Sequence, residues 1–105
     1  MTDAIVVLTT LPSADAAADL ARSVVGEKLA ACANILPALR SIYRWQGKIQ
    51  DDNEVLVLLK THRRHYERLK ARILQLHPYD VPEVIALPVE QGHQAYLDWI
   101  ARETG

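Results

Sequence analysis

His77 is the residue whose type and setting best suit it to chemistry. An imidazole titrates near neutral pH and can carry a proton or a metal ion, and Tyr79, Asp80 and Glu83 follow it closely. Such a group could act as a metal ligand beside oxygen donors, or as an acid–base pair with Glu83. One histidine does not make a metal site, because transition metals take three or four protein ligands. Oxygen ligands, water or a neighbouring subunit must complete it. The simpler role is structural: His77 stands where a helix should end, and an imidazolium there meets the helix dipole favourably.

The other candidates have plainer readings. Asp51, Asp52 and Glu54 could bind a hard cation, but charges beside a turn also keep exposed strands from aggregating. Glu54 differs, because it borders an apolar run and could face Lys60 or another inward polar group. His62 and His65 are three apart on an expected helix, a spacing that can chelate; on a surface helix the plain reading is preferred. Cys32, among small residues in a strand, reads as a buried small hydrophobe.

What is missing narrows the field. The chain has no glycine-rich phosphate loop, no paired-cysteine zinc spacing and no nucleophile elbow. It has no phenylalanine, and so lacks the aromatic strand on which related folds stack RNA bases. A net charge of −1 argues against a general nucleic-acid binder. The basic face of the second helix (Arg63, Arg64, Arg68, Lys70, Arg72) reads as a solvated surface. The longest apolar run, Val55 to Leu59, falls far short of the ~20 residues of a membrane span. A lone cysteine and no secretory pattern place the protein in the cytoplasm.

The elements that must position these residues follow from periodicity. At 105 residues the chain is long enough for one core and too short for two, so residues 1–105 form a single domain. Ala4–Thr9 predicts a strand buried on both faces. Ser13 caps a helix in which Ala17, Leu20, Ala21, Val24 and Leu29 recur, weakened at Gly26. Ala31–Leu36 and Leu39–Trp45 predict paired strand segments around a bend or edge position at Pro37. Gln46-Gly47 is a tight turn, and Lys48–Thr61 returns. A helix over His62–Leu76 ends in His77-Pro78, since a residue before proline disfavours the α region. A strand at Glu83–Pro88 and a helix at His93–Arg102, with Tyr96, Leu97 and Ile100 inward, complete the chain. The order is that of an α+β, ferredoxin-like split β-α-β sandwich with an added C-terminal helix.

The hairpin carries an architectural consequence. Fourteen strand residues reach roughly 45 Å, whereas a domain of this size is roughly 35 Å across. The arm must bend or project, and its tip carries Ile42, Tyr43, Trp45 and Ile49. Packing against another subunit is the economical outcome, because an isolated hairpin is marginal in water.

The segments Ala30-Ala31-Cys32-Ala33-Asn34-Ile35, Ser41 to Ile49 and His77 to Ile85, with Lys60-Thr61, Leu87-Pro88 and Tyr96 to Ile100, resemble the CutA divalent-cation-tolerance family. The resemblance runs from about Ile5 to Ile100. It implies a ferredoxin-like subunit that assembles as a tight homotrimer through intersubunit sheets. It also implies a link to divalent metal tolerance, including copper binding, and a fold shared with PII-type signalling proteins. It implies no settled catalytic activity. The chain departs from the pattern where some members carry a cysteine (here Thr9) and a second histidine (here Leu76). Gln46 also stands where an acidic residue is common. Threonine and leucine cannot replace thiolate and imidazole as ligands, so only His77 is left of the copper constellation.

The expected site therefore lies between subunits and uses Trp45, Glu54, Lys60, His77, Tyr79 and Glu83. His77 faces metal or handles a proton, Glu54 or Glu83 adds anionic character, Lys60 balances a carboxylate or holds an anion, and Trp45 and Tyr79 form walls. The expected function is a non-enzymatic role in divalent metal tolerance by a homotrimer, with copper as the possible ion. The alternatives are a PII-like regulator holding a small metabolite and a trimeric scaffold without a metal role.

Overall fold

The computed structural model describes residues 1–105 and comprises β1 (Ala4–Leu11), α1 (Ala14–Gly26), β2 (Cys32–Trp45), β3 (Lys48–His62), α2 (Tyr66–Leu76), β4 (Ile85–Pro88) and α3 (Gln94–Arg102). A 3-10 turn at Arg63–His65 leads into α2. One four-stranded sheet has the order β2-β3-β1-β4, and each neighbouring pair is antiparallel. This is the expected α+β split β-α-β sheet.

Alternation along the strands divides the sheet into two unlike faces. Ile5, Val7 and Leu11 of β1 and Val55, Val57 and Leu59 of β3 point toward α1 and α2, where Leu20, Val24, Leu69 and Ile73 close the core. Ser13 accepts from the backbone N–H of Ala16 and starts α1 as expected. Thr9 lies in the same buried layer, and its Oγ1 has no hydrogen-bond partner. By contrast, buried Thr61 donates to the Leu29 carbonyl at 2.8 Å. Replacing Thr9 by valine keeps the shape and removes an unpaired polar atom, so Thr9→Val is expected to stabilise the fold by about 1 kcal/mol in urea titration.

The opposite face is apolar and largely uncovered. Register aligns Leu8 with Leu58 and Ile85, and Val6 with Leu87, across three strands. Leu36 pairs with Leu56 on the same side. Only α3 crosses one end of it, where Lys60 Nζ stands 5.6 Å from the centre of the Tyr96 ring. Ile85 and Leu87 are each 50% exposed. The outer edges of β2 and β4 have no neighbouring strand.

The hairpin projects as its length requires, giving a molecule of 44 × 25 × 23 Å. Gln46 (φ 50°) and Gly47 (φ 77°) both take positive φ, the pattern of a type I′ turn, whose twist matches that of the strands it joins. The bend expected at Pro37 is a bulge: the register shifts between Leu36 and Leu39, with Ala38 at φ 64°.

Three boundaries and the buried face of α3 differ from expectation. β1 runs two residues further, to Leu11, because its pairing with β3 continues to Val55. His62 ends β3 instead of opening α2, since it pairs with Ala4, so His62 and His65 do not share an α-helix. β4 begins at Ile85 because Glu83 and Val84 have no pairing partner. Tyr96 is exposed, and Ile100 is the buried residue of α3.

Candidate functional site

Beyond the bulge, Ser41 and Tyr43 of β2 share a face with Glu54 of β3. The segment after α2 returns across this face on its way to β4. Between hairpin and segment lies a cavity of about 690 Å³. Its walls include the aromatic rings of Tyr43, Trp45 and Tyr79, and its carboxylates are Glu54, Asp80 and Glu83. No lysine, arginine or histidine lines it.

Two prolines shape the returning segment. Pro78 forces His77 into an extended conformation (φ −79°, ψ 136°). The imidazole accordingly turns away from the helix end toward β1. His77 Nε2 lies 2.8 Å from the carbonyl oxygen of Thr10, and Nδ1 accepts the backbone N–H of Tyr79 at 3.2 Å. A carbonyl can only accept, so Nε2 carries the proton and Nδ1 the lone pair: the ring is neutral. Burial holds its pKa below the ordinary imidazole value, against the opposing pull of the Thr10 carbonyl and Glu54. An imidazolium on the helix dipole is therefore not what the fold uses. His77 is a tie between the end of β1 and the turn that presents Tyr79.

Tyr79 completes the chain of contacts. Its ring lies 4.9 Å from that of His77, and its hydroxyl donates to Glu54 Oε2 at 2.8 Å. Burial, then the bond to Glu54, raise its pKa and keep the phenol protonated. Glu54 is 8% exposed. It has no salt bridge, and its second oxygen accepts no hydrogen bond within the chain. The other two hairpin carboxylates are paired: Arg40 grips Asp51 with two bonds, and the Tyr43 hydroxyl donates to Asp52. Asp51 and Asp52 are thus cross-strand ties in an exposed arm.

Of the six residues expected to form the site, the fold brings Trp45, Glu54, Tyr79 and Glu83 to the cavity and His77 to its support. Lys60 belongs elsewhere, six residues along β3 at the Tyr96 ring, and does not balance Glu54. Cys32 is not the buried hydrophobe expected; it is half-exposed, with Sγ 3.7 Å from the Asn34 side-chain oxygen. The sequence reading missed Thr10, Ser41 and Tyr43, which a strand-parity argument from Glu54 could have found.

The donor set does not suit a copper ion within one subunit. Both His77 nitrogens are engaged, Thr9 is sealed in the core, and no three histidine, cysteine, aspartate or glutamate side chains converge.

A ferredoxin-like sheet with a projecting hairpin and an acidic, aromatic cleft at its base defines a small α+β protein of the split β-α-β class. Residues 5–103 match the family described as CutA1 divalent ion tolerance protein, and the chain belongs to that family. It is 51% identical over 100 residues to the divalent-cation tolerance protein CutA of Thermus thermophilus, covering 95% of this chain and 97% of that one. It is 48% identical over 100 residues to the chloroplastic protein CutA of Arabidopsis thaliana, spanning 95% of this chain and 55% of that longer protein. Among solved structures, CutA from Xylella fastidiosa superposes with a TM-score of 0.96 at 40% identity, over 99% of this chain and all of the other. No helix is long and apolar enough to cross a membrane.

Proposed function

We propose that this chain is the repeating unit of a homotrimer that contributes to divalent-cation tolerance without being an enzyme. The observation that carries the assembly is the pair of unlike, unpaired sheet edges beside an uncovered apolar face. Exposed edges and contiguous apolar patches invite partners. Pairing β2 of one copy with β4 of the next is heterologous, and heterologous contacts close into rings when the rotation allows. Trimeric closure comes from the family resemblance. The lone free Cys32 supports a reducing, cytoplasmic location, although one relative is named chloroplastic and the CutA of Archaeoglobus fulgidus is described as periplasmic.

Metal association in this reading is weak, runs through carboxylates near the cleft and leaves the His77 ties intact. Isothermal titration of the metal-free protein with copper(II), beside His77→Ala and Glu54→Gln, tests it. Weak binding reduced by Glu54→Gln but not by His77→Ala is the expected pattern. Tight binding near one ion per subunit, lost in His77→Ala, would overturn it. A second reading, a regulator that holds a small metabolite, is favoured by the cavity itself: its volume lies in the range of small-molecule sites, and its aromatic walls exceed what an ion needs.

A further inference from the structure

We propose that the cleft between the hairpin and the segment Pro78–Glu83 binds a small organic cation, an amine or guanidine with an apolar body. The proposal rests on the metabolite-binding reading just given and adds the chemical class of the ligand.

Three observations carry it. The first is charge: Glu54, Asp80 and Glu83 line the cavity and no cationic side chain faces them. Like charge disfavours an anionic occupant by several kcal/mol, so nucleotides and phosphates are the wrong sign. The second is Glu54, only 8% exposed, with one oxygen tied to Tyr79 and the other unpaired within the chain and open to the cavity. No salt bridge engages it, and a ligand N–H⁺ at that accessible oxygen would supply both a counter-charge and a donor. The third is the wall: Tyr43, Trp45 and Tyr79 offer aromatic faces, which attract ammonium and guanidinium groups. A bare metal ion fits less well, because the carboxylates do not converge on one point and the space is far larger than an ion.

The His77 ties have a place in this scheme. They fix the turn that aims the Tyr79 hydroxyl at Glu54, so the carboxylate presents its free oxygen to the cleft.

The test is calorimetric titration of the native protein with agmatine and with spermidine at low ionic strength, with ADP as the anionic probe. Glu54→Gln and Trp45→Ala are titrated in parallel. Glutamine still accepts from Tyr79, so the first variant removes charge without removing the tie. The expected result is saturable amine binding that weakens at least about tenfold in each variant and falls with added salt, and no binding of ADP. Absence of amine binding, amine binding indifferent to Glu54→Gln and Trp45→Ala, or ADP binding as tight as that of the amines would overturn the proposal. The lining residues belong to one chain, and light scattering on the same samples reads the oligomeric state separately: a trimer that binds no amine overturns this proposal and leaves the assembly standing.

Discussion

Replacing Ile85 and Leu87 together by lysine is expected to leave a folded but monomeric protein. Both side chains are half-exposed in the single subunit, where β4 is a four-residue strand paired on one edge only. Lysine there can extend into water, and the core of Leu59, Leu69 and Ile73 is untouched. In the proposed trimer the same positions would be covered, and two ammonium groups would lose their hydration without partners. The desolvation cost is several kcal/mol per ion, which weakens association by at least about a thousandfold. Light scattering should give the 11.8 kDa mass of one subunit, with the far-ultraviolet circular dichroism of the parent retained. An unchanged oligomeric mass would remove β4 from the interface.

His77→Ala is expected to cost about 3 kcal/mol of stability in the complete absence of metal. The substitution leaves the Thr10 carbonyl and the Tyr79 N–H without their partner and opens a void at a site only 8% exposed; each unpaired buried group costs roughly 1–3 kcal/mol. A residue kept only as a metal ligand would show no such loss in metal-free buffer.

Acidity supplies a second reading of the same residue. The folded pKa of His77 lies below its ordinary value of 6.5, with burial as the leading cause. The unfolded chain therefore takes up the proton first as pH falls. The stability that neutral His77 supplies is complete above pH 6.5 and is lost as pH falls from there through the folded pKa. His62 and His65 are lowered as well, chiefly by burial, so the variant should lose part of this acid sensitivity and keep the rest. Urea titrations at about pH 7.5 and about pH 5.5, at fixed subunit concentration, would measure the difference.

Much of this was legible in the sequence because local rules and the global fold agree. Ser13, the Gln46-Gly47 turn and the alternating strands each specify their element, and the hairpin's length left it to bend or project, of which it projects. His62 failed as a helix start because pairing with Ala4 outweighs local preference. The role of His77 was not legible, since nothing in its neighbours announces a bond to Thr10, 67 positions away. Lys60 and Glu54 looked like partners by charge, but they point along one strand six residues apart and never meet. Trp45, Glu54, Tyr79 and Glu83 do gather at one cavity, because the strand register and the proline-bounded return each bring two of them there.

The measurement that bears most directly on the central claim is the mass of the native protein in solution, by light scattering after size exclusion, from about 1 to about 100 µM subunit. A mass three times the 11.8 kDa subunit, constant across that range, is the predicted result. A mass of 11.8 kDa throughout would contradict it, and would mean that the apolar sheet face and its two free edges stand exposed to water in the native protein.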